Sequence, residues 1–143
     1  MTDVVAALGL IQFERYPEML TKRKKMIEKM DAAFADINVT VLNHYGKNHA
    51  SSGHLYIVRL LGKTREQTNK IIEMMAERGI ATNVHYKPLP MMTAYKKMGF
   101  DIKDFPNAYH MFENEITLPL NTKMTMEDVD YVIADFVDIV KSF

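Results

Sequence analysis

The chain has 143 residues, 48% of them hydrophobic and 25% charged, with eighteen Lys and Arg against eighteen Asp and Glu. Those values belong to one folded domain; they exclude a disordered or collagen-like chain and make a strongly basic nucleic-acid binder the wrong starting point. Cysteine is absent, which removes disulfides, zinc–thiolate sites and Cys nucleophiles, and the longest apolar run, Val4 to Ile11, is far short of the ~20 residues a membrane helix needs. The neutral total hides a split. Residues 1–100 carry 15 basic and 9 acidic side chains, and residues 101–143 carry 3 basic and 9 acidic. Either the two parts touch, or they meet different partners.

Thr2 or Asp3 can cap a first helix. The segment behind it, Val4 to Ile11, is apolar nearly all round, as in a helix covered on several sides by a second subunit or another domain. Glu18 to Asp36 reads as a second, longer helix, with Met19, Leu20, Met26, Ile27, Met30, Ala33 and Phe34 at helical spacing. Lys22 to Lys25 wrap its solvent side. This run is short and lacks interleaved aromatics, so a solvated helix face outweighs a nucleic-acid site.

Asn38 to Leu42 alternates like a strand, and the polar stretch from Asn43 to Gly53 reads as a loop. His54 to Leu60 is the clearest strand. Thr64 and Gln67 form a capping box for a helix carrying Ile71, Ile72, Met74 and Met75 that ends at Gly79. Ile80 to His85 reads as a strand, after which Pro88 and Pro90 break regular structure. Met91 to Met98 is a short helix stopped by Gly99, and Pro106 opens another through Phe112. Glu115 to Leu118 is a short strand. Thr125 caps a last helix with Val129, Val132, Ile133, Phe136, Val137 and Val140 on one face. The expected architecture is α+β, with helices on one side of a small, mostly antiparallel sheet.

No self-contained catalytic set stands out. Ser51, Ser52 and His54 are neighbours without a Gly-x-Ser-x-Gly elbow. No two histidines sit three or four apart on a predicted helix, and His44 and His49 lie in or beside the loop, so no metal site is assigned. Neither a Gly-x-Gly-x-x-Gly nor a P-loop is present, and the twelve methionines suit a flexible core filler. His85-Tyr86-Lys87-Pro88-Leu89-Pro90 differs: a strand end carries a polar aromatic pair into a proline-fixed loop, where ligand-contacting groups tend to sit.

Several landmarks occur in order: Met1-Thr2-Asp3 with Ala6-Ala7-x-Gly9, His54-Leu55-Tyr56-x-Val58-Arg59, Gly79-Ile80-Ala81-Thr82 leading to His85-Tyr86-x-Pro88-Leu89, then Phe105-Pro106-Asn107-Ala108, and Leu118-Pro119-Leu120 with Met124-Thr125-x-Glu127-Asp128-Val129. In this order and spacing the chain resembles, over essentially its whole length, the C-terminal portion of the pyridoxal-phosphate sugar-nucleotide aminotransferases of the DegT/StrS type. The resemblance implies the small C-terminal domain of a fold-type-I aminotransferase. Residues 1–36 would be a helical lead-in packed on a large cofactor domain, and residues 37–143 the α+β domain proper.

It further implies a cytoplasmic homodimer that moves an amino group from glutamate to a nucleotide-linked keto-sugar, in surface polysaccharide or glycan synthesis, without nucleic-acid or membrane partners. His85 matches a family position facing the sugar nucleotide, Tyr86 stands beside it, and His54 is a further substrate-binding candidate. Many members have a second histidine where this chain has Pro90. The family's Schiff-base lysine, the acid that pairs with the pyridine nitrogen, most phosphate contacts and an Asn-x-Arg segment reaching across the dimer all precede the position of Met1. No catalytic, cofactor-binding or metal residue is therefore assigned here. The chain by itself is expected to be inactive and to hold no cofactor. The competing reading is a stand-alone α+β binding or regulatory module without catalysis.

Overall fold

The computed structural model describes all 143 residues. Helix α1 spans Asp3–Phe34 without interruption and carries Pro17 inside it. Two helices were the expectation. The residues next to Pro17 include good helix formers, Glu14 and Arg15 before it and Glu18, Met19 and Leu20 after it, so the proline removes one N–H without ending the helix. Thr2 occupies the N-cap position but makes no side-chain cap bond. The two halves of α1 differ in kind. Met26, Ile27, Met30 and Phe34 are fully buried, whereas Val4, Leu8, Leu10, Ile11 and Phe13 are each more than half exposed.

Strands β1 (Val39–Val41), β4 (Tyr56–Leu60) and β5 (Glu115–Leu118) form one sheet in the order β1-β4-β5, with both pairings antiparallel. Tyr56, Val58 and Leu60 alternate with Ile57 and Arg59, which puts the first set on the buried face. Ile116 and Leu118 join them, and this face packs against α1, α2 (Arg65–Glu77) and α5 (Met126–Lys141). The Phe34 ring lies 5.0 Å from Phe136 and 6.1 Å from Tyr56 at the centre of the core. Both later helices begin with complete capping boxes, at Thr64/Gln67 and Thr125/Asp128, and Gly79 takes the positive φ of 75° that ends α2.

Two further expected elements changed. The loop at residues 43–53 contains a two-residue hairpin, β2 (Tyr45–Gly46) with β3 (His49–Ala50), and a Cβ at Gly46 would collide with the His49 ring. Ile80 to His85 is not a strand; a single bridge joins Asn83 to Thr117. The cause is side-chain competition. Asn83 Oδ1 accepts the Val84 amide at 2.8 Å, and Glu115 Oε2 accepts the His85 amide at 3.0 Å, so those donors are withdrawn from a ladder. His54 lies just outside β4 and is exposed.

The charge split is bridged within the fold. Lys29 pairs with Asp130, and Arg78 pairs with both Asp135 and Asp138, each at 2.6 Å. The basic run on α1 is also less solvated than expected: Lys22 donates to the Thr122 carbonyl at 2.7 Å and Arg23 to the Ser52 carbonyl at 3.3 Å. Residues 89–112, comprising α3 (Thr93–Lys97), α4 (Pro106–Phe112) and two 3-10 turns, contain no fully buried residue. Two arginines tie the end of this arm to the sheet. Arg59 donates to the His110 carbonyl at 3.1 Å, and Arg65 donates to the Phe112 carbonyl at 2.9 Å while lying over the Phe112 ring.

Candidate functional site

The outer face of the sheet is polar where the core face is apolar, because strand residues alternate. Register sets Arg59 of β4 opposite Glu115 of β5, and Ile57 opposite Thr117. A cleft of about 360 Å³ opens over this face, with Arg59 and Glu115 from the sheet, Met111 and Phe112 from α4, and His85 and Tyr86 from the proline-rich connection. A second, more open cleft of about 310 Å³ lies beside it, lined by His54, Asn83 and Thr117 among others, and His85 borders both. The structure thus places His85 with Tyr86 in one cleft and His85 with His54 in the other; His54 and Tyr86 share neither of these two clefts.

His85 is held from two directions. Its amide donates to Glu115 Oε2 at 3.0 Å, and its ring Nδ1 lies 2.9 Å from Thr117 Oγ1. Thr117 Oγ1 donates to Glu115 Oε1 at 2.6 Å. The Tyr86 ring meets the His85 ring edge-on at 4.8 Å, joined by a cis peptide, and is 73% exposed, so its hydroxyl is available to a ligand. Arg59 Nε donates to Asn114 Oδ1 at 3.1 Å, which anchors a guanidinium at the cleft and gives it a positive charge suited to an anionic group. Arg65 supports the same strand by donating to the Glu115 carbonyl at 3.3 Å; burial pushes its guanidinium below the usual arginine range, and the Glu115 charge opposes that shift.

Glu115, Thr117 and Arg59 are the site residues that sequence reasoning missed. A signal was present: Glu115 and Thr117 alternate with Ile116 and Leu118, which is an ionisable residue on one face of an otherwise buried strand. The other histidines stand apart. His44 is buried and stacks on Tyr56 at 5.8 Å, His49 pairs with the Asn43 carbonyl, and His110 pairs with Glu113. No three His, Asp or Glu side chains are grouped to hold a metal ion, and no helix is long and apolar enough to cross a membrane.

These residues do not fit pyridoxal phosphate as its holder. No lysine lines the cleft, and Glu115, its one carboxylate, has both oxygens already occupied. The arrangement can instead bind and orient a polar, anionic ligand.

Comparison with known proteins gives a consistent pattern. The sequence model of the DegT/DnrJ/EryC1/StrS aminotransferase family matches residues 1–137. The structure is similar to Spr1654 of Streptococcus pneumoniae, described as a sugar aminotransferase and solved in a PMP form, with a TM-score of 0.96 and 49% identity over 99% of this chain and 36% of that one. The spore coat polysaccharide biosynthesis protein SpsC of Bacillus subtilis is 35% identical over 99% of this chain and 37% of its own length. The UDP-4-amino-4,6-dideoxy-N-acetyl-beta-L-altrosamine transaminase of Campylobacter jejuni is 30% identical over 92% of this chain and 35% of its length. The chain spans about a third of the length of the curated relatives it matches.

Proposed function

The chain belongs to the DegT/DnrJ/EryC1/StrS aminotransferase family, and from that premise we propose that it is the C-terminal, substrate-facing part of a pyridoxal-phosphate enzyme that transfers an amino group from glutamate to a nucleotide-linked keto-sugar for surface polysaccharide or glycan synthesis. The observation that carries this reading is the cleft where the family-like His85-Tyr86 pair meets the anchored Arg59. A diphosphate supplies the anion that Arg59 suits, and a sugar supplies hydroxyls for His85 and Tyr86. His54, at the neighbouring cleft, is a further contact for an extended ligand that passes His85.

The electron-sink chemistry of such a transfer belongs to the cofactor and to residues other than those of this cleft. What this chain supplies is binding and orientation. The exposed apolar half of α1 suits docking onto a large cofactor domain or a second subunit, as in a homodimer, and a cytoplasmic setting fits nucleotide-sugar chemistry. Alone, the chain is inactive.

Two measurements test this. In the enzyme encoded by the full reading frame, assayed with glutamate and keto-sugar nucleotides, His85→Ala raises KM for the sugar nucleotide roughly tenfold while KM for glutamate stays unchanged, the loss of about one charge-assisted or ligand hydrogen bond. Equal effects on both substrates would refute the sugar-facing role. For the 143-residue chain alone, added pyridoxal phosphate and borohydride leave no single lysine labelled; stoichiometric labelling of one lysine would refute inactivity. A reading frame that carries no lysine-bearing domain would favour the stand-alone binding module.

A further inference from the structure

Glu115 is 4% exposed and Thr117 5% exposed, side by side on the outer face of β5. An ionised carboxylate in such a place needs hydrogen-bond donors, and it has found two, the His85 amide and the Thr117 hydroxyl. A carboxylate only accepts. The hydroxyl of Thr117 has one proton, and that proton is committed to Glu115 Oε1 at 2.6 Å. Toward His85 the hydroxyl oxygen can therefore only accept. The 2.9 Å contact then requires the proton to be on His85 Nδ1. In the neutral ring, Nε2 carries the lone pair and has no partner within the chain, while His85 borders both clefts.

We propose that Glu115 and Thr117 are positioning residues that hold His85 as its Nδ1–H tautomer, so that His85 meets its ligand through Nε2 as a hydrogen-bond acceptor and selects a donor, a sugar hydroxyl, over an unprotonated phosphate oxygen. The identity of the ligand rests on the function proposed above; the tautomer does not. Arg59 then takes the anion and His85 the hydroxyl, which separates the two halves of a nucleotide sugar along one cleft. A merely structural Glu115 would tie the Asn83–His85 segment to β5 without choosing a tautomer.

Ring ¹⁵N NMR of the uniformly labelled chain, at a pH where the ring is neutral, reads the tautomer directly. The wild type shows His85 with Nδ1 protonated and Nε2 bare; a dominant Nε2–H form overturns the proposal. Glu115→Gln is nearly isosteric but reverses the chain of donors. Its carbonyl oxygen keeps the His85 amide, its NH₂ donates to Thr117 Oγ1, and the hydroxyl turns to donate to His85 Nδ1, which moves the proton to Nε2. A folded Glu115→Gln chain that keeps Nδ1–H overturns the relay.

Thr117→Ser retains the wild-type tautomer, and Thr117→Val lowers the Nδ1–H to Nε2–H ratio by roughly tenfold, the factor one hydrogen bond into a charged chain supplies. Amide spectra establish that each variant is folded, and the Ser/Val pair decides the matter if the Gln variant is not. For the ligand, UDP-N-acetylglucosamine shifts the His85 Nε2 resonance and UDP alone does not. Equal shifts from both would overturn hydroxyl selection. Silence from both, with the tautomer standing, would overturn the nucleotide-sugar reading and leave the relay.

Discussion

Tyr56→Phe removes one oxygen from the middle of the core. Tyr56 is fully buried, and its hydroxyl donates to Asp31 Oδ1 at 2.7 Å. Burial, and then the bond to Asp31, push its phenol well above the ordinary tyrosine range, so the hydroxyl is a fixed donor at every working pH. Two effects compete. The phenylalanine ring fills the same space with less polar surface to desolvate, which favours the variant. Against that stands a hydrogen bond to a carboxylate, worth about 1.5–3 kcal/mol net. Asp31 is only partly buried and can recover water, so the loss falls at the lower end. The expected destabilisation is about 1.5 kcal/mol, which at an m-value of roughly 2 kcal/mol/M moves the urea midpoint down by about 0.75 M with m unchanged. In a cycle with Asp31→Ala, the double variant should be little worse than Asp31→Ala alone, because both substitutions remove the same bond. A double variant whose cost equals the sum of the singles would refute the assignment of the hydroxyl's contribution to Asp31.

Burial lowers the His44 ring below its ordinary value of 6.5, against an opposing pull from Asp31. The unfolded chain therefore binds the proton more readily, so the stability from neutral His44 is intact above about pH 6.5 and is lost as pH falls from there through the folded-state value. Urea titrations across that window should show the decline, and His44→Gln should flatten it; an unchanged slope would count against the buried neutral ring. Phe136→Ala, at the fully buried contact with Phe34, should cost about 3–5 kcal/mol by the same assay, and a loss under about 1 kcal/mol would mean that the core there is not closely packed. The exposed Val4, Leu8, Ile11 and Phe13 should make the chain self-associate or bind a hydrophobic dye, and Leu8→Lys with Ile11→Lys should reduce both in light scattering and dye titration. A strictly monomeric, dye-silent wild type would refute the docking role of α1.

Much of the fold follows from local chemistry alone. The capping boxes at Thr64 and Thr125, the stop at Gly79, and the strands around Val58 and Ile116 depend on neighbours within a few residues, and each lies where its signal predicts. The resemblance likewise rested on short motifs in order, and the family match over residues 1–137 upholds it. Where local signals conflicted, packing decided. The apolar run to Ile11 and the amphipathic pattern from Glu18 suggested two helices, but α1 is one helix through Pro17, and only its second half, with Met26, Ile27, Met30 and Phe34, is buried in the core. Ile80 to His85 has strand-like composition, yet Asn83 and Glu115 side chains take the amides a ladder would need.

The site divides the same way. His85 and Tyr86 were legible as a pair because a motif of adjacent residues carries them. Glu115, Thr117 and Arg59 were not, since their importance depends on β-sheet register and on partners 30 to 55 residues away in the chain. Sequence by itself determined the family, the α+β class and the placement of the local elements, because caps, turns and period-2 alternation act over a few residues. Only the tertiary structure decided which outer-face side chains surround His85, how its proton is directed and which half of α1 stays bare, because hydrogen-bond direction and burial exist only once distant segments meet.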